Sequence, residues 1–417
     1  WLNDPNGLIY LDGSYHMFFQ YNPAGNNWDN MHWGHAVSKD LIHWEEKDIA
    51  LFIEGDVNAF SGSAVWDQKN LLSPDEGAKA ALLFYTATTH PFTQRLAYST
   101  DGFQTIREYE GNPILPHLEG GNRDPKVVYC GERGEYIMAL YFIWNDYGLF
   151  SSKDLVHWEL FQRITFPEES ECPDLFPICD KEGVRKWVFM GGNDHYLVGE
   201  FREGKFVPVQ EAERLHYGSA AYAGQTFSNL PEGRVVRICW DRWYSKATKF
   251  NGQMGIPMEL TLEIEEGRHY LCAEPVKELK SLSVKETVLE ELTIHAGEEK
   301  KIPLQDSAYL FEISGTYAED TVLEMRIFGC SFRVDFPENQ LVTGDLQAPL
   351  SAKRNSFLLT LIADRCSMEF FTDQGRAYLS AVTEETICDR NLPWLGIKAD
   401  REYTIDQIKL FELKSIW

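Results

Sequence analysis

The chain is poor in positive charge, in paired cysteines and in long apolar runs, and each shortage removes a class of function. Its 417 residues carry 39 Lys and Arg against 64 Asp and Glu, a net charge of −25. So acidic a chain offers a phosphate backbone little to neutralise, which argues against a nucleic-acid partner. No run of 18 apolar residues occurs, so no membrane partner is expected, and no signal peptide is visible. The first residue, Trp1, already lies inside a motif, so the N-terminus reads as incomplete. The 8 cysteines, at 130, 172, 179, 239, 272, 330, 366 and 388, form no CxxC pair. Zinc spacing is therefore absent, and a disulfide framework is not expected in a chain this long. There is no Asn-x-Ser/Thr sequon either. These absences favour a reduced, cytoplasmic, bacterial-type protein over a secreted one. Long amphipathic helices are missing too, since no extended stretch repeats apolar residues at i, i+3, i+4 and i+7.

What is present is short strands, aromatics and repetition. The sequence has 13% aromatic residues, including 12 Trp and 19 Tyr, which suits an all-β core or stacking against sugar rings. The string SKDLIHW at 38–44 returns as SKDLVHW at 152–158, with a looser copy, YSTDGFQTI, at 98–106. Each copy reads as a strand end, an Asp-containing turn and the next strand start. A second series runs out of phase with it: NDPNGLIY at 3–10, FSGSAVW at 60–66, RDPKVVY at 123–129, ECPDLFPI at 171–178 and YAGQTF at 222–227. From Asp4 to Ser61, Asp124, Glu171 and Tyr222 the steps are 57, 63, 47 and 51 residues. Five similar β units predict a five-bladed β-propeller over 1–280, one blade per unit. Alternating strands beyond about residue 285 predict a β-sandwich over 288–417, with 277–287 as a connection.

In a propeller the first strand of each blade lines a central channel. Asp4, Asp124 and Glu171 stand at matching places on units one, three and four, so they are expected to share one pocket. Three converging acids could bind calcium or magnesium, cap strand ends, or cleave a glycosidic bond. Metal binding is disfavoured, because Pro5, Pro125 and Pro173 stiffen the backbone and no loop alternates oxygen ligands. The pair His32 and His35 lacks a third ligand nearby and reads as ordinary hydrogen-bonded histidines. No cofactor is expected. Glycoside hydrolysis needs one ionised carboxylate and one protonated acid. Arg123 beside Asp124 would keep an acid ionised, while Cys172 and Pro173 give Glu171 a less polar setting that would keep its proton.

The strings WLNDPNG, FFQYNP, FSGSAV, RDPKV and ECPDLF, in this order, resemble glycoside hydrolase family 32, the β-fructosidases, and the resemblance extends to the C-terminal KLFELKSIW. That resemblance implies Asp4 as nucleophile, Glu171 as acid/base and Asp124 as the acid that holds the fructose hydroxyls. It implies a fructose subsite from Asn3, Gln20, Trp28, Phe60 and Ser61. Trp1, Arg123, Tyr222 and Trp243 complete the candidate substrate-binding set. The implied reaction is retaining release of terminal β-D-fructofuranosyl units from sucrose or small fructans. The chain departs from the family's pattern at His216, Ala220 and Met258, which puts substrate preference in doubt. Arg242, Lys246 and Lys249 could meet a sugar phosphate, although a solvated loop is favoured. The alternatives are an inverting arabinanase-like propeller glycosidase and a sugar-binding propeller without catalysis. Oligomeric state is not legible.

Overall fold

The computed structural model describes residues 1–417 except 53, 54, 56, 73–78, 245–249, 351–354, 383–390 and 417. Lys246, Lys249 and Cys388 therefore lie outside the described residues. The regular structure of described residues 1–275 is almost wholly antiparallel strand, arranged as five sheets of four or five strands. The five units expected from the sequence each supply the first strand of one sheet. These are Leu2–Leu11, Ala59–Trp66, Arg123–Cys130, Asp174–Cys179 and Ala221–Thr226.

Polar side chains join successive sheets. Gln20 of the first sheet donates to the Ala59 carbonyl at 2.9 Å. The Ser63 hydroxyl bridges sheets two and three, donating to Pro125 O at 2.8 Å and accepting from Val127 N at 2.9 Å. Lys126, Asp174 and Thr226 tie sheets three, four and five. The ammonium lies 2.7 Å from the carboxylate, which also accepts the Thr226 N–H at 2.9 Å. Backbone bonds from Ser228 N to Leu8 O (2.8 Å) and from Tyr10 N to Ser228 O (3.0 Å) link the fifth sheet back to the first. The ring of five closes, and the five-bladed propeller is the result.

The SKDL repeats sit between the third and fourth strands of blades one and three, and YSTDGFQTI occupies the same place in blade two. All three make one turn. Ser38, Ser99 and Ser152 donate to Asp40, Asp101 and Asp154 at 2.9–3.1 Å. The aspartates then accept backbone N–H groups of the turn, as in other Asx turns. Leu41, Phe103 and Leu155 all hold positive φ at the tip.

The second fold element is two six-stranded sheets. One runs from the edge strand Ser283–Ile294 through Tyr403–Leu413, Ala308–Thr316 and Ser356–Ala363 to Ser367–Thr372 and Ala377–Val382. Residues from both sheets, among them Phe311, Ile313, Phe370, Leu323, Phe332 and Leu395, form one buried core, as a β-sandwich requires. The segment 277–287, expected as a connection, is a 3-10 turn (Lys277–Leu282) followed by the start of strand Ser283–Ile294. That strand is an exposed edge carrying three Glu and one Lys, so its sequence shows little apolar alternation.

Chain contacts divide the protein into two compact units. The first holds Trp1–Glu213, Tyr222–Asp241 and a stretch ending at Tyr270; the second holds Arg214–Ala221, a short stretch from Arg242, and Leu271–Trp417.

Candidate active site

Blade one places Asp4 where its first strand is irregular. The pairing of Leu2–Leu11 with Ser14–Tyr21 shifts register between Leu2 and Pro5 and again between Asn6 and Ile9. Such bulges re-aim a side chain out of the regular pleat. Gly7 sits in the second shift at φ +52°, and a Cβ there would come within 2.8 Å of Phe18 and 3.0 Å of Trp33, so the turn accepts only glycine. Blade two repeats the device: its register shift falls between Phe60 and Gly62 and frees Ser61 to face Asp4. Ser61 Oγ donates to Asp4 Oδ2 at 2.6 Å, and Asn3 Nδ2 donates to Asp4 Oδ1 at 3.1 Å. Trp1 Nε1 in turn donates to Asn3 Oδ1 at 2.8 Å, which fixes the amide.

Blades three and four bring the other two acids. Asp124 (φ +63°), Glu171 (φ +56°) and Cys172 (φ +40°) all occupy the left-handed region. Non-glycine residues enter it at a cost of about 1–3 kcal/mol, and such strain gathers at functional sites. The Cys172 backbone N–H donates to Asp124 Oδ2 at 3.1 Å. Its thiol lies 3.6 Å from both Asp124 Oδ2 and Asp4 Oδ2, so the two carboxylates share one neighbour. Burial, reinforced by the three acids, pushes that thiol well up, and it stays a neutral donor. Arg123 donates to Glu171 Oε1 and to the Gly121 carbonyl, and its Nε lies 3.8 Å from Asp124 Oδ2. Its guanidinium also stacks on the Tyr141 ring at 4.6 Å. Tyr222 of blade five donates to Glu171 Oε2 at 2.6 Å. Four blades thus converge on Asp4, Asp124 and Glu171, and blade two adds Ser61.

The charge pattern reverses the expectation from neighbouring residues. Burial raises the Asp124 carboxyl against the pull of Arg123, and repulsion from Glu171 and Asp4 helps carry it to about 7. Burial likewise raises Asp4, outweighing the hydrogen bonds from Ser61 and Asn3. Glu171 is lowered, because Tyr222 and Arg123 together overcome its burial. Without substrate, then, burial holds the two aspartates high, while Tyr222 and Arg123 hold Glu171 low. Sequence adjacency showed the pull of Arg123 on Asp124 but not the burial that outweighs it, nor the reach of Arg123 across to the next blade.

The remaining candidates divide. Phe60 meets Trp28 edge-on at 5.8 Å and Phe92 at 5.6 Å, and Trp28 is 56% exposed, so this aromatic group is open to a ligand. Gln20 is 2% exposed and its amide is spent on the Ala59 carbonyl, so it supports the blade junction. Trp243 is buried in the second compact unit. His216 also belongs there, bonded to the Ser380 hydroxyl at 2.8 Å, and Ala220 and Met258 are buried. His32 bonds the Asn30 carbonyl at 2.7 Å and His35 faces His16 at 3.0 Å, as ordinary histidines do. Among the described residues no group of three or more His, Cys, Asp or Glu is placed to hold a metal ion.

Residues 1–275 match the glycosyl hydrolases family 32 N-terminal domain. The chain belongs to glycosyl hydrolase family 32. A levanase from Bacillus subtilis (strain 168) is 29% identical, aligned over 100% of this chain and 69% of its own length. A levanase from Bacillus sp. (strain L7) is 30% identical over 100% of this chain and 51% of its own length. Among solved structures, exo-inulinase from Aspergillus awamori superposes with a TM-score of 0.88 at 23% identity, covering 100% of this chain and 96% of that one. The β-fructofuranosidase from Schwanniomyces occidentalis complexed with fructosyl-erythritol gives 0.89 at 23% identity, with the same coverage. As a family 32 protein the chain shares their fold, a five-bladed propeller and a β-sandwich.

Proposed function

We propose that Asp4, Glu171 and Asp124 carry out retaining hydrolysis of a terminal fructosyl unit through a covalent fructosyl–enzyme intermediate. The chain is a β-fructofuranosidase-type glycoside hydrolase, acting on terminal fructosyl units of sucrose or fructans. An arabinanase-like or non-catalytic reading is not favoured. The observation that carries the assignment of roles is the convergence of three carboxyls from three blades, held by Ser61, Asn3, Arg123, Tyr222 and Cys172.

In the first step an Asp4 oxygen attacks the anomeric C2, the C2–O bond to the leaving group breaks, and Glu171 gives that oxygen its proton. In the second, Glu171 takes a proton from water, the water oxygen attacks C2, and the bond to Asp4 breaks. Ser61 and Asn3 hold one orientation of Asp4 throughout. Asp124 accepts from the fructose hydroxyls, and those bonds discriminate against sugars that lack them. Trp28 and Phe60 offer an apolar surface to the ring face. Glu171 must enter the first step protonated, yet Arg123 and Tyr222 hold its carboxyl low. The first step therefore runs in the population in which Glu171 holds the proton and Asp4, accepting from Ser61 and Asn3, is ionised.

The names of the relatives, levanases and an exo-inulinase, support fructans within that substrate class. The test is NMR of fructose at the moment of release from sucrose, kestose, inulin and levan. Retention gives the β-anomer first. Initial α-fructose would contradict the intermediate.

A further inference from the structure

Blade two contributes no acid, yet a chain of buried polar groups runs from its interior to Asp124. The Asp124 backbone N–H, held at φ +63°, donates to Thr86 Oγ1 at 3.1 Å. The Thr86 hydroxyl donates onward to Gln94 Oε1 at 2.7 Å, and Gln94 Nε2 donates to the Asn122 carbonyl at 3.0 Å. The path returns to the segment that carries Arg123 and Asp124. Thr86, Gln94 and Asn122 are each 0% exposed, so water cannot substitute for any member. Thr86 and Gln94 face each other across neighbouring strands, and Thr86 also pairs with Phe60, beside the bulge that presents Ser61.

Two bonds make this more than sheet packing. A strand residue ordinarily gives its N–H to a neighbouring strand's carbonyl, whereas Asp124 gives its own to a side chain. A threonine hydroxyl can accept there only while its single proton points elsewhere, and Gln94 fixes that direction. Gln94 is fixed in turn by the Asn122 carbonyl, which sets which end of its amide faces Thr86. We propose that Thr86 and Gln94 are positioning residues that hold Asp124 in its left-handed conformation, with its carboxylate aimed at the fructosyl hydroxyls. This rests on the role given to Asp124 above.

The test is kinetic, on the full chain, with sucrose and an activated aryl fructoside as probes. Thr86→Val keeps the shape and removes the acceptor. It is expected to lower kcat/KM by roughly ten- to hundredfold, the scale of a misplaced catalytic contact. Thr86→Ser, which keeps the hydroxyl, is expected to restore it to within about threefold. In an Asp124→Asn background, Thr86→Val should add less than about threefold, because the group it positions is already disabled. A folded Thr86→Val enzyme with wild-type kcat/KM would overturn the proposal. So would an equal loss in both backgrounds, which is the signature of a structural role. Where Thr86→Val does not fold, Gln94→Met keeps the threonine but frees its hydroxyl proton. A loss that vanishes in the Asp124→Asn background supports the proposal, and no loss contradicts it. Asp124→Asn alone separates the two levels: wild-type turnover there removes the role of Asp124 itself, whereas a dead Asp124→Asn beside a normal Thr86→Val removes only the positioning.

Discussion

Two repeats run through the propeller, and they have opposite uses. The outer one, SKDL, is the better conserved from copy to copy within the chain, and it closes turns. Each copy satisfies its own polar groups locally: Asp154 accepts from Ser152, Val156 and His157, all within three residues. The inner one is loose in letters, and its polar groups are satisfied across blades. Asp4 is bonded by Ser61, Glu171 by Arg123 and Tyr222, and Asp124 by Cys172. Local closure makes a structural motif legible as a string. Closure at a distance makes a site, because the same hydrogen-bonding capacity stays aimed at a shared hollow.

Substitutions at the inner strands should break activity without breaking the fold, and substitutions at the outer turns should cost some stability and leave activity alone. The largest effect belongs to Asp4→Ala, which removes the attacking oxygen. Fructose release should fall by at least ~10⁴-fold with circular dichroism unchanged. Near wild-type turnover would take the nucleophile assignment away. Next is Glu171→Gln, with an expected loss of roughly 10²–10⁴-fold on sucrose and a far smaller one on a fructoside whose leaving group needs no proton. Equal losses on both would remove the acid role.

Tyr222→Phe sharpens the comparison rather than breaking it. It deletes one of the donors that hold Glu171 low, so the Glu171 carboxyl rises and keeps its proton to higher pH. The alkaline limb of the kcat/KM profile should move up in pH, and an unmoved limb would separate Tyr222 from proton control. The smallest effect is Asp154→Ala in the outer turn. Burial opposes ionisation of this carboxyl, but hydrogen bonds from His157 and its neighbours win and bring it down to about 2. Its stabilisation is therefore present above the ordinary carboxylate range and is lost as pH falls towards 2. At neutral pH the variant should lose a few °C in Tm or less, with kcat/KM unchanged. A large loss of activity would erase the distinction between the two repeats.

Much of this was open to reading from the residues. Small or polar residues before short apolar runs mark strand starts, and all five such runs became inner strands. Fold and convergence followed from their spacing. The balance of charge did not, because Arg123, beside Asp124 in sequence and 3.8 Å from its Oδ2, also spans to Glu171. Cys172 carried a signal, sitting next to the acid, but only packing shows its thiol between two carboxylates. Thr86 and Gln94 carried none. They lie in an ordinary hairpin of blade two, and their link to Asp124 is purely tertiary. Of the other residues named for the pocket, Gln20 also bonds the Ala59 carbonyl, a tertiary link that the sequence does not show.

The most direct measurement is mass spectrometry of Glu171→Gln quenched during turnover of an activated aryl fructoside, a variant in which the second step lacks its base. The account predicts one fructosyl group esterified to the peptide bearing Asp4. Turnover with no adduct and an inverted product, or an adduct on any other carboxylate, would contradict it.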